Sequence, residues 1–243
     1  MCLETIRYSD LGLDDPVGIV GFPSVGLVSS IAANYYVSQL KMEPVAGIHG
    51  ERIPPYSLVS NATAYPPVRL YGHKRRTKNG KDAVVCTSEF APKPEDCYLL
   101  GNTVLGTLRD LGCRDVICLE GIPRMTEQDQ PVICGGSGPG VGRLYEASGL
   151  QKMESGMVKG ITGVMMYMAA QRGMNLVTIL CPANPSIPDP ASAAAFMEPV
   201  SKMVKGLKVN TKLLFEEGDE IMRRTQTGQA TMDNDPSESA IYG

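Results

Sequence analysis

VGIVGFPSVGLVSSIAANYYVSQLKMEPVAGI, residues 17–48, is the stretch from which the fold is read. Val17 to Phe22 is a short apolar run rich in β-branched residues, bounded by Pro16 and Pro23, and reads as a buried strand. Leu27, Val28, Ile31, Ala32, Tyr35 and Leu40 then recur at the helical interval, which predicts a helix with one apolar face and Ser24 placed to cap it. Glu43 to Ile48 brings the chain back as the next strand. This is a β-α-β opening.

The same alternation continues outward. Ser57 to Ala62 and Val68 to His73 are short strand candidates, and the second is joined to Asp82–Phe90 by a basic turn, HKRRTKNGK, in which Asn79-Gly80 signals a hairpin because both residues tolerate positive φ. The Lys74-Arg75-Arg76 tip reads as a solvated hairpin end, since so few charges neutralise little phosphate. A helix from about Glu95 to Leu111 carries Leu100, Val104, Leu108 and Leu111 on one side and stops at Gly112. Asp115–Ile122 is another buried strand; Pro123–Gly142 is irregular, with CGGSGPGVG (134–142) read as a long loop or bent edge hairpin. A helix Ile161–Arg172, ended by Gly173, feeds the strand Asn175–Cys181. Asp189 as N-cap and Pro190 at the first helical position open a further helix with Phe196, Val200, Met203, Val204 and Leu207 in period and a break at Pro199. A last helix spans Thr211 to about Arg224. Strands alternating with helices predict an α/β sandwich with a largely parallel or mixed central sheet.

The whole chain of 243 residues, 43% of them hydrophobic, suits one large α/β domain over residues 1–224. Residues 225–243 hold Asp233, Asp235 and Glu238 without a Lys or Arg, so this stretch carries the entire net charge of −3 and reads as a flexible acidic tail. The balanced body argues against a general nucleic-acid binder. No apolar run approaches the length of a membrane span and no secretory leader opens the chain, which predicts a cytoplasmic protein. Seven scattered cysteines without a C-x-x-C pair read as free thiols, and two histidines far from any cysteine cluster leave no metal-ligand spacing.

Gly21-Phe-Pro-Ser-Val-Gly26 stands where a dinucleotide fingerprint would sit, but Pro23 occupies the position that must let a pyrophosphate approach the backbone. It reads as a tight strand-helix turn, and no cofactor is expected. Glu89, Glu120 and Asp189 fall at predicted strand ends, where α/β folds place their sites. They are the candidates for acid/base chemistry in a strand-end cleft on a small nucleoside-like or amide substrate; capping and solvated loops explain them equally well. Cys181 ends a strand and reads as a buried thiol before it reads as a nucleophile.

The opening stretch and GMVKGITGVMMYMAAQRGMNLVTILCPANPSIPDPASAAAFMEPVSKMVKGLKV, residues 156–209, together resemble the proteasome assembly chaperone family in its archaeal and bacterial branch. The shared pattern is a strand, G-x-P-x-x-G and an amphipathic helix, then G-I-T-G before a helix, a strand, and P-D-P-x-x-A leading into the next helix. The resemblance implies a three-layer α/β/α sandwich of the phosphorylase/hydrolase-like kind, homo-oligomeric assembly and no catalysis. It also implies a partner, the α subunits of the proteasome core particle. Ile241, Tyr242 and Gly243 match the hydrophobic-Tyr-any ending with which activators and some archaeal relatives dock between those subunits. Tyr supplies a rigid apolar body with a hydroxyl, and the carboxylate of Gly243 an anion for a pocket lysine.

Overall fold

The computed structural model describes residues 3–126, 129–211 and 214. An exposed strand, β1 (Glu4–Arg7), precedes β2 (Val17–Gly21), all five residues of which are buried. A 3-10 turn leads into α1 (Val28–Gln39), followed by β3 (Glu43–His49), a small hairpin of β4 (Leu58–Ser60) and β5 (Thr63–Tyr65), and the pair β6 (Val68–His73) and β7 (Ala83–Ser88). Then come α2 (Cys97–Asp110), β8 (Asp115–Pro123), β9 (Val132–Ser137), α3 (Val141–Ser148), β10 (Gln151–Lys152), α4 (Gly160–Met168), β11 (Asn175–Ala183), α5 (Pro190–Ala194) and α6 (Met197–Met203). The chain stops α2 at Gly112 (φ 92°) and the turn after α4 at Gly173 (φ 69°), two positions where a left-handed residue ends a helix.

Nine strands form one mixed sheet in the order β1-β3-β6-β7-β2-β8-β11-β9-β10. Its centre, β7-β2-β8-β11, is parallel, and antiparallel pairs flank it on both sides. Strands buried on both faces need apolar side chains at consecutive positions, as the composition of β2, β7, β8 and β11 reflects. Ile19, Val85, Ile117 and Val177 meet α1, α3, α5 and α6 on one face; Val20, Val84, Val116 and Leu176 meet α2 and α4 on the other. The result is the three-layer sandwich expected from the sequence. Each fully buried Leu- or Ile-sized side chain in these two cores contributes about 1.5–3 kcal/mol.

Four local expectations change. The β2-α1-β3 unit is not a contiguous parallel pair, because β7 and β6 lie between β2 and β3. Ser24 does not cap α1; its hydroxyl lies 2.6 Å from the Ser29 hydroxyl and accepts a hydrogen bond from the Gly121 N–H at 3.0 Å. The hairpin between β6 and β7 exists, but Asn79 and Gly80 are not at positive φ. Its connection is instead organised by buried Asp82, whose carboxylate accepts from the Arg75 and Asp14 N–H groups. Finally, Cys134–Ser137 belong to a strand rather than to a loop, paired with β11 on one side, while β10 pairs only with Val132 and Ile133 before them. A Cβ on Gly136 would stand 2.1 Å from the Leu176 carbonyl oxygen, so glycine there permits close pairing across a bulged register. The helix expected over 211–224 and the tail 225–243 lie outside the described residues, except for Thr211 and the fully buried Leu214.

Candidate functional site

The carboxyl ends of the parallel strands carry the polar groups singled out in the sequence, each in its own network. After β2 the backbone turns sharply, with Gly26 at φ 61° and Leu27 at φ 52°. A Cβ on Gly26 would come within 2.9 Å of the Asn184 carbonyl oxygen and 3.0 Å of the Ala183 Cβ. A Cβ on Gly121 would lie 2.3 Å from the Val25 carbonyl oxygen. The glycines therefore bring the start of α1 onto the ends of β8 and β11; they do not open a phosphate cradle.

Asp189 completes this junction. Its N–H donates to the Gly26 carbonyl at 2.8 Å, while its carboxylate accepts from the Ser192 N–H at 2.9 Å, the Ser192 hydroxyl at 2.7 Å and the Asn184 N–H at 3.1 Å. It is the N-cap of α5, as its place before Pro190 predicts. Arg124 reaches over from the end of β8, donating to the Ser192 hydroxyl and lying 3.7 Å from the Asp189 carboxylate. Burial works to raise the Asp189 pKa, but the hydrogen bonds from Ser192 and Asn184 together with Arg124 hold it below the usual carboxylate value. Asp189 is thus an ionised structural anchor.

Glu120 is different. It projects toward α4, where the Thr162 hydroxyl of the G-I-T-G segment donates to its Oε2 at 2.6 Å. Burial pushes this carboxyl up to about 7, the Thr162 hydrogen bond opposing it only in part. Cys118 and Cys134, both buried, stand close enough for the charge of Glu120 to raise their thiols further. Glu89 pairs instead with Arg69, a buried guanidinium that also lies 5.9 Å from the centre of the Tyr71 ring. No described hydrogen bond or ion pair joins Glu89, Glu120 and Asp189 to one another. Cys181 donates its S–H to the Ser192 carbonyl at 3.1 Å, and burial lifts its thiol to about 12, the chemistry of an inert core cysteine.

Sequence reasoning thus located the strand ends but missed Thr162, Arg69, Arg124 and Ser192, the partners that define what each acid does. Thr162, in G-I-T-G, and Ser192, in P-D-P-x-x-A, lay in segments already marked by a pattern; Arg69 and Arg124 did not. A cleft of about 730 Å³ is lined by residues 7–13, Val45 and Asp110–Gly112 at the amino-terminal ends of β2 and β8, away from Glu120 and Asp189. Among the described residues no group of three His, Cys, Asp or Glu side chains is placed to hold a metal ion, and no helix is long and apolar enough to cross a membrane. Ile241, Tyr242 and Gly243 lie outside the described residues.

Comparison with known proteins places this architecture. A family model described as the PAC2 family matches residues 18–227. An uncharacterized protein of Methanocaldococcus jannaschii is 23% identical over 224 residues, which cover 90% of this chain and 87% of that one. Among solved structures, PbaA of Pyrococcus furiosus, an archaeal homolog of proteasome-assembly chaperone, superposes with a TM-score of 0.78 at 24% identity, over 95% of this chain and 98% of its own. PbaB of the same organism, an archaeal proteasome activator, gives a TM-score of 0.76 at 20% identity, over 93% and 98%. At these identities the structural likeness establishes the shared fold.

Proposed function

The chain belongs to the PAC2 family, and we propose that it works as a proteasome assembly chaperone or activator-like adaptor, without catalytic chemistry of its own. The observation that carries this reading is the likeness, over more than nine-tenths of both chains, to the archaeal proteins PbaA and PbaB. The strand-end acids are consistent with it, since Asp189 caps a helix and Glu89 neutralises a buried arginine, each a structural task.

In this proposal a folded body over residues 1–224 presents the segment 225–243 to the α ring of the core particle. Ile241 and Tyr242 fill an intersubunit pocket, and the Gly243 carboxylate pairs with a lysine. Nineteen residues from Thr225 onward reach about 65 Å when fully extended and average roughly 25 Å as a coil, enough for a body seated above a ring to search for a pocket. One such contact buries little surface and binds weakly. Several on one homo-oligomer gain from high effective concentration, so self-assembly belongs to the mechanism.

The test is binding of the intact chain and of Tyr242→Ala to a proteasome core particle from the same organism. Loss of binding in the variant, at an unchanged melting temperature, is the expected result. Equal binding by both would move the contact to the body, and absence of binding by either would overturn the proposal.

A further inference from the structure

A second cavity, beside α4, is walled by sulfur. Cys134, Met153 and Met166 line one pocket of about 380 Å³ together with Gly135, Gly156 and Tyr167.

Three different elements bring these sulfurs to one place. On β9, Ile133 belongs to the core under α1, α3, α5 and α6, so the alternation of the strand turns Cys134 to the face that α4 covers. Glu120, which bonds Thr162 of α4, acts on the Cys134 thiol from that same face. β10 runs parallel to β9 with Lys152 opposite Ile133, and the Met153 N–H donates to the Ile133 carbonyl at 2.9 Å. The register therefore sets Met153 beside Cys134, about 4.8 Å away along the hydrogen-bonding direction and on the same face. Met166 comes from α4. A Cβ on Gly135, the extra residue where the register between β9 and β11 shifts, would stand 2.6 Å from the Met166 Cε. A Cβ on Gly156 would overlap the Met153 Cε and stand 3.1 Å from its Sδ. Glycine at both positions leaves room for the two thioethers.

Cys134 is buried, whereas Met153 and Met166 are half-buried, so the thioethers are reachable from solvent and the thiol is shielded. Core packing alone asks only for apolar volume, which Leu supplies with less rotamer freedom to lose. What Cys and Met add is a set of soft donors, and a thiolate with two thioethers, in place of imidazole and carboxylate, favours Cu(I) over magnesium, calcium or manganese. The hard oxygen donors of the pocket, on Glu154 and Ser155, belong to exposed residues.

We propose that this pocket is a binding site for a soft monovalent cation, Cu(I), held by the Cys134 Sγ and the Sδ atoms of Met153 and Met166. In the free protein burial first, and then the Glu120 charge, keep Cys134 as the protonated thiol. The ion replaces that proton, which passes to water, and no electron is transferred. Each thioether turns on three rotatable bonds and closes on the ion. The site is independent of proteasome docking.

Titration of the reduced full chain with Ag(I), an air-stable stand-in for Cu(I), in chloride-free buffer tests it. The chain carries Cys2→Ser and is labelled at the Cε methyls of its 13 methionines. NMR should show the Met153 and Met166 methyls, assigned with Met153→Leu and Met166→Leu, moving with the first equivalent and ahead of the others. Native mass spectrometry should find one ion per chain with one proton lost. The two Leu variants conserve volume and should keep the melting temperature. Each should weaken the first equivalent by about 10–100-fold, because a direct ligand is worth no less than an outer-shell partner. Cys134→Ser should abolish it, and Cu(I) added anaerobically as its acetonitrile complex should repeat the pattern. A first equivalent that leaves either methyl unmoved, that survives Cys134→Ser, that binds both Leu variants as tightly as wild type, or that forms with Ag(I) but not with Cu(I) would overturn the proposal.

Discussion

Replacing Glu120 by Gln should raise stability at pH 8 and leave it nearly unchanged at pH 5. Burial lifts this carboxyl from its ordinary 4.5 to about 7 in the folded protein, while in the unfolded chain it titrates near 4.5. Between those values the folded protein holds a proton that the unfolded chain has released. Stability therefore falls as pH rises through the window and reaches its lower plateau above about pH 7. At about 1.36 kcal/mol per unit the gap corresponds to at most roughly 3 kcal/mol, since the side chain keeps some contact with water. Gln has the same shape and still accepts the Thr162 hydroxyl, but never ionises. The difference between wild type and variant also cancels every group that titrates alike in both. In a chain of this size about 3 kcal/mol moves the melting temperature by roughly 6–12 °C. Thermal unfolding followed by circular dichroism from pH 5 to 8.5 should show the variant melting higher at pH 8, the gap closing toward pH 5. A gap that does not change with pH, or a variant less stable than wild type at pH 8, would refute the assignment of a buried, proton-holding acid.

Other substitutions separate the roles of the strand-end groups. Gly26→Ala forces a Cβ against the Asn184 carbonyl at positive φ and should cost about 1–3 kcal/mol, measured by chemical denaturation. Asp189→Ala removes the cap of α5 and the acceptor for Asn184, a loss of about 1–2 kcal/mol; Asp189→Asn, which keeps the side-chain oxygen, should recover a good part of it. Glu89→Ala leaves the Arg69 guanidinium, 9% exposed, without its carboxylate and should cost roughly 1–3 kcal/mol, with urea denaturation as the measurement. By contrast, Glu198→Ala, which breaks an exposed pair with Lys202 on α6, should leave the urea midpoint within error.

What could be read from the residues was whatever local chemistry determines. Val17–Gly21 is apolar at consecutive positions because both of its faces are covered, and that run announces a central strand before any partner is known. Gly112, Gly173 and the Asp189-Pro190 pair end or start helices through φ, ring geometry and one side-chain acceptor. Failures came where a residue type has two uses. Gly135 and Gly136 look like loop residues, yet both sit in β9, and at Gly136 the Leu176 carbonyl of β11 comes too close for a side chain. Asn79-Gly80 suggests a two-residue turn, but the hairpin closes through a long connection held by Asp82. β1 is exposed along its length and carries no burial pattern to detect.

The same distinction explains how much of the candidate site was legible. The two segments that carry the family pattern lie more than a hundred positions apart, yet Gly26 and Asp189 meet through one backbone hydrogen bond, so each constrains the other's backbone. Such positions are marked in sequence by glycine and by capping residues, whatever the rest of the chain does. Glu120 and Thr162, or Arg69 and Glu89, carry no such mark: their pairing depends on which strand lies beside which, and on which face the register turns each side chain. An acid at a strand end is therefore visible from sequence as a location, whereas its role as anchor, neutraliser or proton holder is decided across the sheet. In this chain the three acids went to three different partners, Thr162, Arg69 and Ser192, so among the described residues they do not share one site.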